Sequence, residues 1–146
     1  MARIAQLEDN VFVAAQLTRD DFADIAARGI RTIVNNRPDG EADDQLPSEE
    51  AEIAALRYGL VYRHLPVTNH DVTEDEPVAA QAKVLRDLPG PILFYCRSGN
   101  RSTILWAQAS AARLGTDTVL QRAAQAGYQL EELREFIDDH AASIAA

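Results

Sequence analysis

In the first two thirds of the chain, short apolar runs alternate with stretches in which apolar residues recur every three or four positions. This is the pattern of strands that alternate with amphipathic helices, and it predicts an α/β fold. The expected strands are a weak one near Ile4 and better ones at residues 11–15, 30–35, 60–65 and 92–95. The expected helices are 18–29, 47–59 and 73–89, because each begins with residues typical of a helix start and ends at glycine or proline.

The run at residues 92–95 differs from the other expected strands because it contains no polar alternation. A strand of this kind is covered on both faces, as in the middle of a parallel or mixed sheet. Beyond it, helices are expected at 102–114, at 116–126 and from 128 or 129 to about 142. The sequence therefore predicts one domain over residues 1–146, with a central, mostly parallel sheet of four or five strands and helices on both faces.

Composition and charge narrow the kind of partner. The apolar fraction of 47% and the charged fraction of 25% are ordinary for a globular protein, and no apolar run is long enough for a membrane span. The first residues contain no apolar signal core, so we expect a cytoplasmic protein. A net charge of -9 should repel nucleic acid and anionic membranes. The expected partners are small molecules or proteins, with no nucleic acid and no membrane.

The cysteine and histidine content argues against an internal disulfide and against a structural zinc site. One cysteine cannot form an internal disulfide, and with three scattered histidines it cannot supply a usual structural zinc cage. We therefore expect no metal and no cofactor.

Candidate chemistry lies where the apolar run at 92–95 meets the next helix. The single cysteine, Cys96, is followed by a short loop that contains Gly99 and ends at Ser102, a helix-capping residue type. Backbone N–H groups of such a loop point into one concavity, where the helix dipole also favours an anion. A thiol there, between Arg97 and Arg101, should be a better nucleophile than a free cysteine.

A lone cysteine at a strand end is more often a small buried apolar residue than a nucleophile. Here two arginines, a glycine and a helix start follow it closely, and a core filler needs none of them. The loop is therefore predicted to bind an anion. Arg101 should point into it, and the other expected anion-binding residues are Arg97, Ser98, Gly99, Asn100 and Ser102, of which Ser102 is equally well explained as the helix cap.

The segment from Cys96 to Ser102 resembles the active loop of single-domain rhodanese sulfurtransferases, and it is similar to, but shorter than, the Cys-x5-Arg loop of protein tyrosine and dual-specificity phosphatases. Upstream, segments such as residues 29–41 resemble the phosphatase-like domain family named after beta-lactamase-hydrolase-like proteins. That resemblance covers roughly residues 3 to 110 and implies the dual-specificity-phosphatase fold. Family members are described as phosphatases or as sulfur transferases, and some are joined to persulfide-oxidising domains.

Two departures from the phosphatase pattern favour sulfur transfer. Tyr95 replaces the usual histidine before the cysteine, and Arg101 stands at the fifth position after Cys96, where phosphatases place the arginine at the sixth. Because the shorter rhodanese loop holds one sulfur atom, we expect a Cys96 persulfide. It would be loaded from thiosulfate or a small persulfide and discharged to a thiol acceptor, with a persulfide-oxidising enzyme as a further partner.

The alternative is a phosphatase that hydrolyses phosphate monoesters through a phosphocysteine. It needs a general acid, and the segment 69–76 lies where phosphatases of this fold carry one. Asp71 is the first choice and Asp75 the second. A third hypothesis is a non-catalytic module that binds an anion or senses thiol oxidation. Three other residues, Arg37, Asp39 and Glu41, either line the mouth of the pocket or stabilise a turn.

Overall fold

The computed structural model describes residues 3–145, and its strands form one five-stranded sheet in the order β1-β2-β5-β3-β4. The first strand is antiparallel to the second, and the remaining neighbours are parallel. The inner strands β3 and β5 are buried at every position, which explains why the run at 92–95 has no polar alternation. The strands are β1 (Ile4–Glu8), β2 (Val11–Ala14), β3 (Thr32–Asn35), β4 (Val61–His64) and β5 (Ile92–Tyr95).

Helices cover both faces of this sheet. One face packs on α1 and α2 through a core cluster that includes Phe22, Ile25 and Ala51. The other packs on the four remaining helices through a larger cluster that includes Ile104, Trp106 and Ile137. The helices are α1 (Asp21–Ala27), α2 (Ser48–Arg57), α3 (Asp75–Asp87), α4 (Asn100–Leu114), α5 (Thr116–Gln125) and α6 (Arg134–Ala145), with a 3-10 turn at Glu131–Leu133.

The predicted fold class is confirmed, and the differences concern where elements begin. The weak strand near Ile4 is a full edge strand, because it pairs with β2 along its length apart from one irregularity. Helix α4 starts at Asn100, since Gly99 has a φ of 94° and so ends the loop in a conformation that glycine adopts without strain. The expected cap role of Ser102 is therefore wrong, because Ser102 lies inside the helix. Residue 128 precedes α6 instead of starting it.

The topology brings four loops to one edge of the sheet. Strands β2, β3, β4 and β5 run in the same direction, so the loops that follow them meet beyond their carboxyl ends. This edge is where open α/β sheets bind ligands. Among the described residues, no helix has the length and apolar character needed to cross a membrane.

Candidate active site

Cys96 lies directly after the central strand β5, with only 1% of its surface exposed. Two backbone hydrogen bonds fasten this part of the chain to the end of β2. The N–H of Cys96 donates to the carbonyl of Ala14 at 3.4 Å, and the N–H of Gln16 donates to the carbonyl of Arg97 at 3.1 Å. The thiol is therefore held at a rigid point, between strands that are themselves buried.

The loop directs a backbone donor at the sulfur. The N–H of Gly99 donates to Cys96 Sγ at 3.2 Å, and Gly99 is also the cap residue of α4. The sulfur thus lies at the N-terminal end of a fifteen-residue helix. Both the N–H group and the helix dipole favour negative charge on the sulfur or on a group bound to it.

Arg101 lies in the first turn of α4, and it is buried and held on one edge of its guanidinium. Its Nη1 and Nη2 donate to the two carboxylate oxygens of Glu41, each at 2.8 Å, and Nη1 also donates to the carbonyl of Val67 at 2.9 Å. The hydrogen bonds to Glu41 raise the pKa of Arg101, burial opposes them, and the nearby Cys96 sulfur raises the pKa further. Arg101 is therefore a fixed cation beside the thiol.

Glu41 is shared by two buried arginines. Besides Arg101 it accepts from Arg37 Nε at 2.8 Å, and Arg37 Nη1 in turn donates to Gln16 Oε1 at 3.0 Å. Hydrogen bonding from Arg101, opposed by burial and helped by Arg37, lowers the pKa of Glu41 to about 2. This Arg37–Glu41–Arg101 cluster joins the loops after β2 and β3 to α4, and its carboxylate stays ionised across the physiological range.

The other residues expected to bind an anion fall into two groups. Arg97, Ser98 and Asn100 belong to the loop and the first position of α4, and Arg97 lines a depression of about 940 Å³ together with Arg37. Ser102 is fully buried and donates to Asn36 Oδ1 at 2.9 Å. Its hydroxyl therefore contacts Asn36 on the neighbouring loop.

Asp71 is exposed in the turn that follows β4, where its N–H donates to the Thr68 carbonyl at 3.2 Å. It lines a second depression of about 560 Å³, which is distinct from the one at Arg97. Val67 also lines this second depression, and its carbonyl is the one that Arg101 contacts. The depression that Asp71 lines therefore includes the residue whose carbonyl holds Arg101. The second-choice acid, Asp75, lies in the first turn of α3, 3.7 Å from the ring of His140.

Two residues near the loop have contacts that sequence patterns do not reveal. Glu41 sits in a cluster of turn formers, and only the meeting of the loops after β3 and β5 brings it to Arg101. Tyr128 donates to the carbonyl of Ser98 at 3.0 Å from thirty positions along the chain. Asp39, in contrast, accepts from the N–H of Ser48 and so fastens the loop after β3 to the start of α2.

Two histidines hold backbone carbonyls near the site. His64 bonds the carbonyl of Arg37 at 2.8 Å and so joins the end of β4 to the loop after β3. His140 bonds the carbonyl of Thr73, also at 2.8 Å, and so holds the segment that carries Asp71. Within residues 3–145, no group of three or more His, Cys, Asp or Glu side chains is arranged to hold a metal ion.

Solved structures with a similar fold cover nearly the whole chain. A crystal structure from Neisseria meningitidis, of a protein described as a candidate phosphatase, is 33% identical in sequence and superposes with a TM-score of 0.82, covering 92% of this chain and 96% of that one. The TpbA protein of P. aeruginosa, crystallised as a cysteine-to-serine variant in complex with pTyr, shares the fold at 14% identity with a TM-score of 0.62, covering 99% of this chain and 95% of that one.

Sequence comparison identifies the family. The family model for the phosphatase-like domain of beta-lactamase hydrolase-like protein matches residues 4–113. A "Beta-lactamase hydrolase-like protein" of Xylella fastidiosa is 35% identical over 105 residues, which is 72% of this chain and 24% of that protein. The chain thus spans about a quarter of the length of the curated relatives that it matches. The chain belongs to the phosphatase-like domain family of beta-lactamase hydrolase-like proteins.

Proposed function

We propose that this domain hydrolyses phosphate monoesters with Cys96 as the nucleophile. The observation that carries the proposal is the position of the Cys96 sulfur, which is buried at the N-terminal end of α4, accepts the N–H of Gly99 and lies beside the fixed guanidinium of Arg101. A phosphoryl group attached to this sulfur would have its charged oxygens near backbone donors and a cation.

Catalysis proceeds in two displacements. The Cys96 thiolate attacks phosphorus, an S–P bond forms, and the P–O bond to the leaving group breaks with its electron pair on that oxygen. Asp71, in its acid form, gives the leaving oxygen a proton. Water then attacks the phosphocysteine, Asp71 takes a proton from it, and the S–P bond breaks to return the thiolate and inorganic phosphate.

The relatives change the order of the two enzyme hypotheses. The loop alone favours sulfur transfer, but the similarity to a candidate phosphatase at 33% identity and the bound pTyr of TpbA support a phosphate ester as the substrate. Arg97, the residue after Cys96, lines a large depression with space for the body of an ester. An activity assay tests the proposal directly, since p-nitrophenyl phosphate should be hydrolysed and Cys96→Ser should abolish turnover.

The role of Asp71 predicts a dependence on the leaving group. Asp71→Asn should slow hydrolysis of phenyl phosphate about a hundredfold but that of p-nitrophenyl phosphate less than about tenfold, because the better leaving group needs little protonation. Steady-state kinetics with both esters would measure this. Asp87→Asn, at the exposed far end of α3, is the matched control and should leave both rates unchanged. If the leaving-group dependence appears in Asp75→Asn and not in Asp71→Asn, the assignment of the acid is wrong.

Sulfur transfer remains the second candidate, and one observation favours it. Arg101 stands one position earlier than the phosphatase pattern requires, and its Nη atoms are engaged by Glu41 and Val67. The resulting cradle suits a small guest such as one sulfur atom. In this reaction the Cys96 thiolate attacks the sulfane sulfur of thiosulfate, sulfite leaves with the electron pair, and an acceptor thiolate later removes the sulfur from the persulfide.

One set of assays separates the three hypotheses. A sulfurtransferase should form thiocyanate from thiosulfate and cyanide and carry one added sulfur on Cys96 in the mass spectrum. If both results appear without ester hydrolysis, the proposed phosphatase activity is wrong and the domain is a sulfurtransferase. If neither reaction occurs and sulfate still raises the melting temperature, the domain binds anions without catalysis.

A further inference from the structure

Tyr128 contacts the cysteine loop from a part of the chain outside the family match. It follows α5, is 5% exposed, and donates its hydroxyl to the carbonyl of Ser98 at 3.0 Å. Burial raises the pKa of its phenol, so the hydroxyl keeps the proton that it donates. Tyr128 lies beyond residues 4–113, which the family model matches, whereas Ser98 lies within them.

The contact acts on the peptide group that carries the donor to the sulfur. In a trans peptide the C=O and N–H bonds point in opposite directions. Tyr128 holds the carbonyl of Ser98, and the N–H on the other side of that peptide is the one of Gly99, which donates to Cys96 Sγ at 3.2 Å. Because Tyr128 holds the carbonyl oxygen of Ser98 away from the thiol, the N–H of Gly99 stays directed at Cys96 Sγ.

Arg3 and Gly99 fix the position of the Tyr128 ring. The Arg3 guanidinium lies 5.0 Å from the ring centroid, and its Nη1 donates to the Tyr128 hydroxyl at 3.4 Å. Because arginine is only a donor, this bond leaves the tyrosine proton for Ser98. On the loop side, a Cβ on Gly99 would collide with the Tyr128 hydroxyl, so the ring packs directly on the glycine backbone.

We propose that Tyr128 is a positioning residue, which orients the Ser98–Gly99 peptide and thereby holds the Gly99 N–H on the reactive thiol. The inference rests on the proposed use of Cys96 as a nucleophile and applies equally to phosphoryl and sulfur transfer. Tyr128 acts through the peptide group and does not contact the reacting atoms.

The test is the pH dependence of Cys96 alkylation by iodoacetamide, followed by mass spectrometry. Cys96 is the single cysteine of the chain, so every adduct reports on it. Tyr128→Phe keeps the ring and removes the hydroxyl, and we expect the midpoint of the profile to move up by about one pH unit, as for a tenfold loss of thiolate stabilisation. In the ester assay kcat should fall about tenfold while KM changes little.

Tyr58→Phe is the matched control, because Tyr58 is 45% exposed at the end of α2, and its alkylation profile should equal that of the wild type. An unchanged profile in Tyr128→Phe overturns the inference. Should that variant not fold, Arg3→Gln keeps the hydroxyl but frees the ring; a smaller shift in the same direction supports the inference, and no shift overturns it. A wild type that hydrolyses no ester, combined with a shifted profile in Tyr128→Phe, contradicts the proposed phosphatase and supports the role of Tyr128.

Discussion

At the scale of single residues, the site depends on charges that are buried and matched. Arg37 and Arg101 are 3% and 6% exposed, and each would be costly to bury without a partner. Glu41 supplies that partner for both. The carboxylate therefore stabilises the folded chain and fixes the guanidinium beside the thiol through the same hydrogen bonds.

Glu41→Gln should lower the free energy of unfolding by about 2 kcal/mol at pH 7, a figure discounted for the partial solvent exposure of the carboxylate. The pKa of Glu41 falls from its ordinary 4.5 to about 2 in the folded protein, so its contribution is complete above 4.5 and is lost as pH falls towards 2. Urea denaturation of both proteins should show more than half of the difference gone by about pH 3.

Glu131→Gln is the matched control, because Glu131 also bonds an arginine but at the surface, and its loss should cost under about 0.5 kcal/mol. A difference between wild type and Glu41→Gln that is as large at pH 3 as at pH 7 would contradict the assigned ion pair.

At the scale of elements, Asn36 connects two neighbouring strands to two helices below the site. Its side-chain amide donates to the carbonyl of Leu65 at 3.0 Å and pairs with the amide of Gln81 on α3. Its Oδ1 also accepts from Ser102 on α4, and its N–H donates to the carbonyl of Tyr95. These bonds fix the first turn of α4, and with it Arg101, relative to the sheet.

Asn36→Ala should reduce the free energy of unfolding by about 3 kcal/mol, because it leaves buried donors and acceptors of several elements without partners. Chemical denaturation would measure this. Asn69→Ala, at an exposed turn position, should change stability by less than about 0.5 kcal/mol. An equal effect of the two substitutions would mean that the Asn36 contacts add nothing to the fold.

At the scale of the whole molecule, the helices beyond the family match complete the core. The matched span ends at residue 113, yet α5 and α6 pack on α4 with Val119, Leu120 and Ile137 buried. Burial of each such side chain contributes roughly 1.5–3 kcal/mol to the free energy of unfolding. The sum over these side chains is comparable to the total stability of a domain. The region that the family model matches is therefore shorter than the part of the chain that folds as one unit.

A chain truncated after residue 114 should consequently lose its cooperative thermal transition. Near-UV circular dichroism of Trp106, which is the single tryptophan and fully buried, would measure this. Within the full chain, Ile137→Ala should cost about 3 kcal/mol, whereas Ile144→Ala, on the same helix but 44% exposed, should cost little. A truncated chain that melts cooperatively near the temperature of the full chain would refute this account.

The strands and helices of this chain are predictable from sequence because each depends on the residues within its own segment. Runs such as residues 92–95 reveal a buried strand by their own composition, and the alternation of strands and helices predicts the order of layers. The Arg37–Glu41–Arg101 cluster and the Tyr128 contact join segments far apart in sequence, so no local pattern predicts them. The cap role of Ser102 is mispredicted because the left-handed turn at Gly99 starts α4 two residues earlier.

Four loops meet at one edge of the sheet, and other residues of the candidate site come from different loops than Cys96 itself. Cys96 and the backbone donor at Gly99 belong to the loop after β5, whereas Gln16, Glu41 and Asp71 come from the loops after β2, β3 and β4. Exposed loop residues on such an edge can be replaced without disturbing the strands below them, whereas Glu41 is bound to two buried arginines and cannot. Substitution of exposed residues in the outer loops can therefore change the surroundings of Cys96 without moving the strand and the helix that hold it.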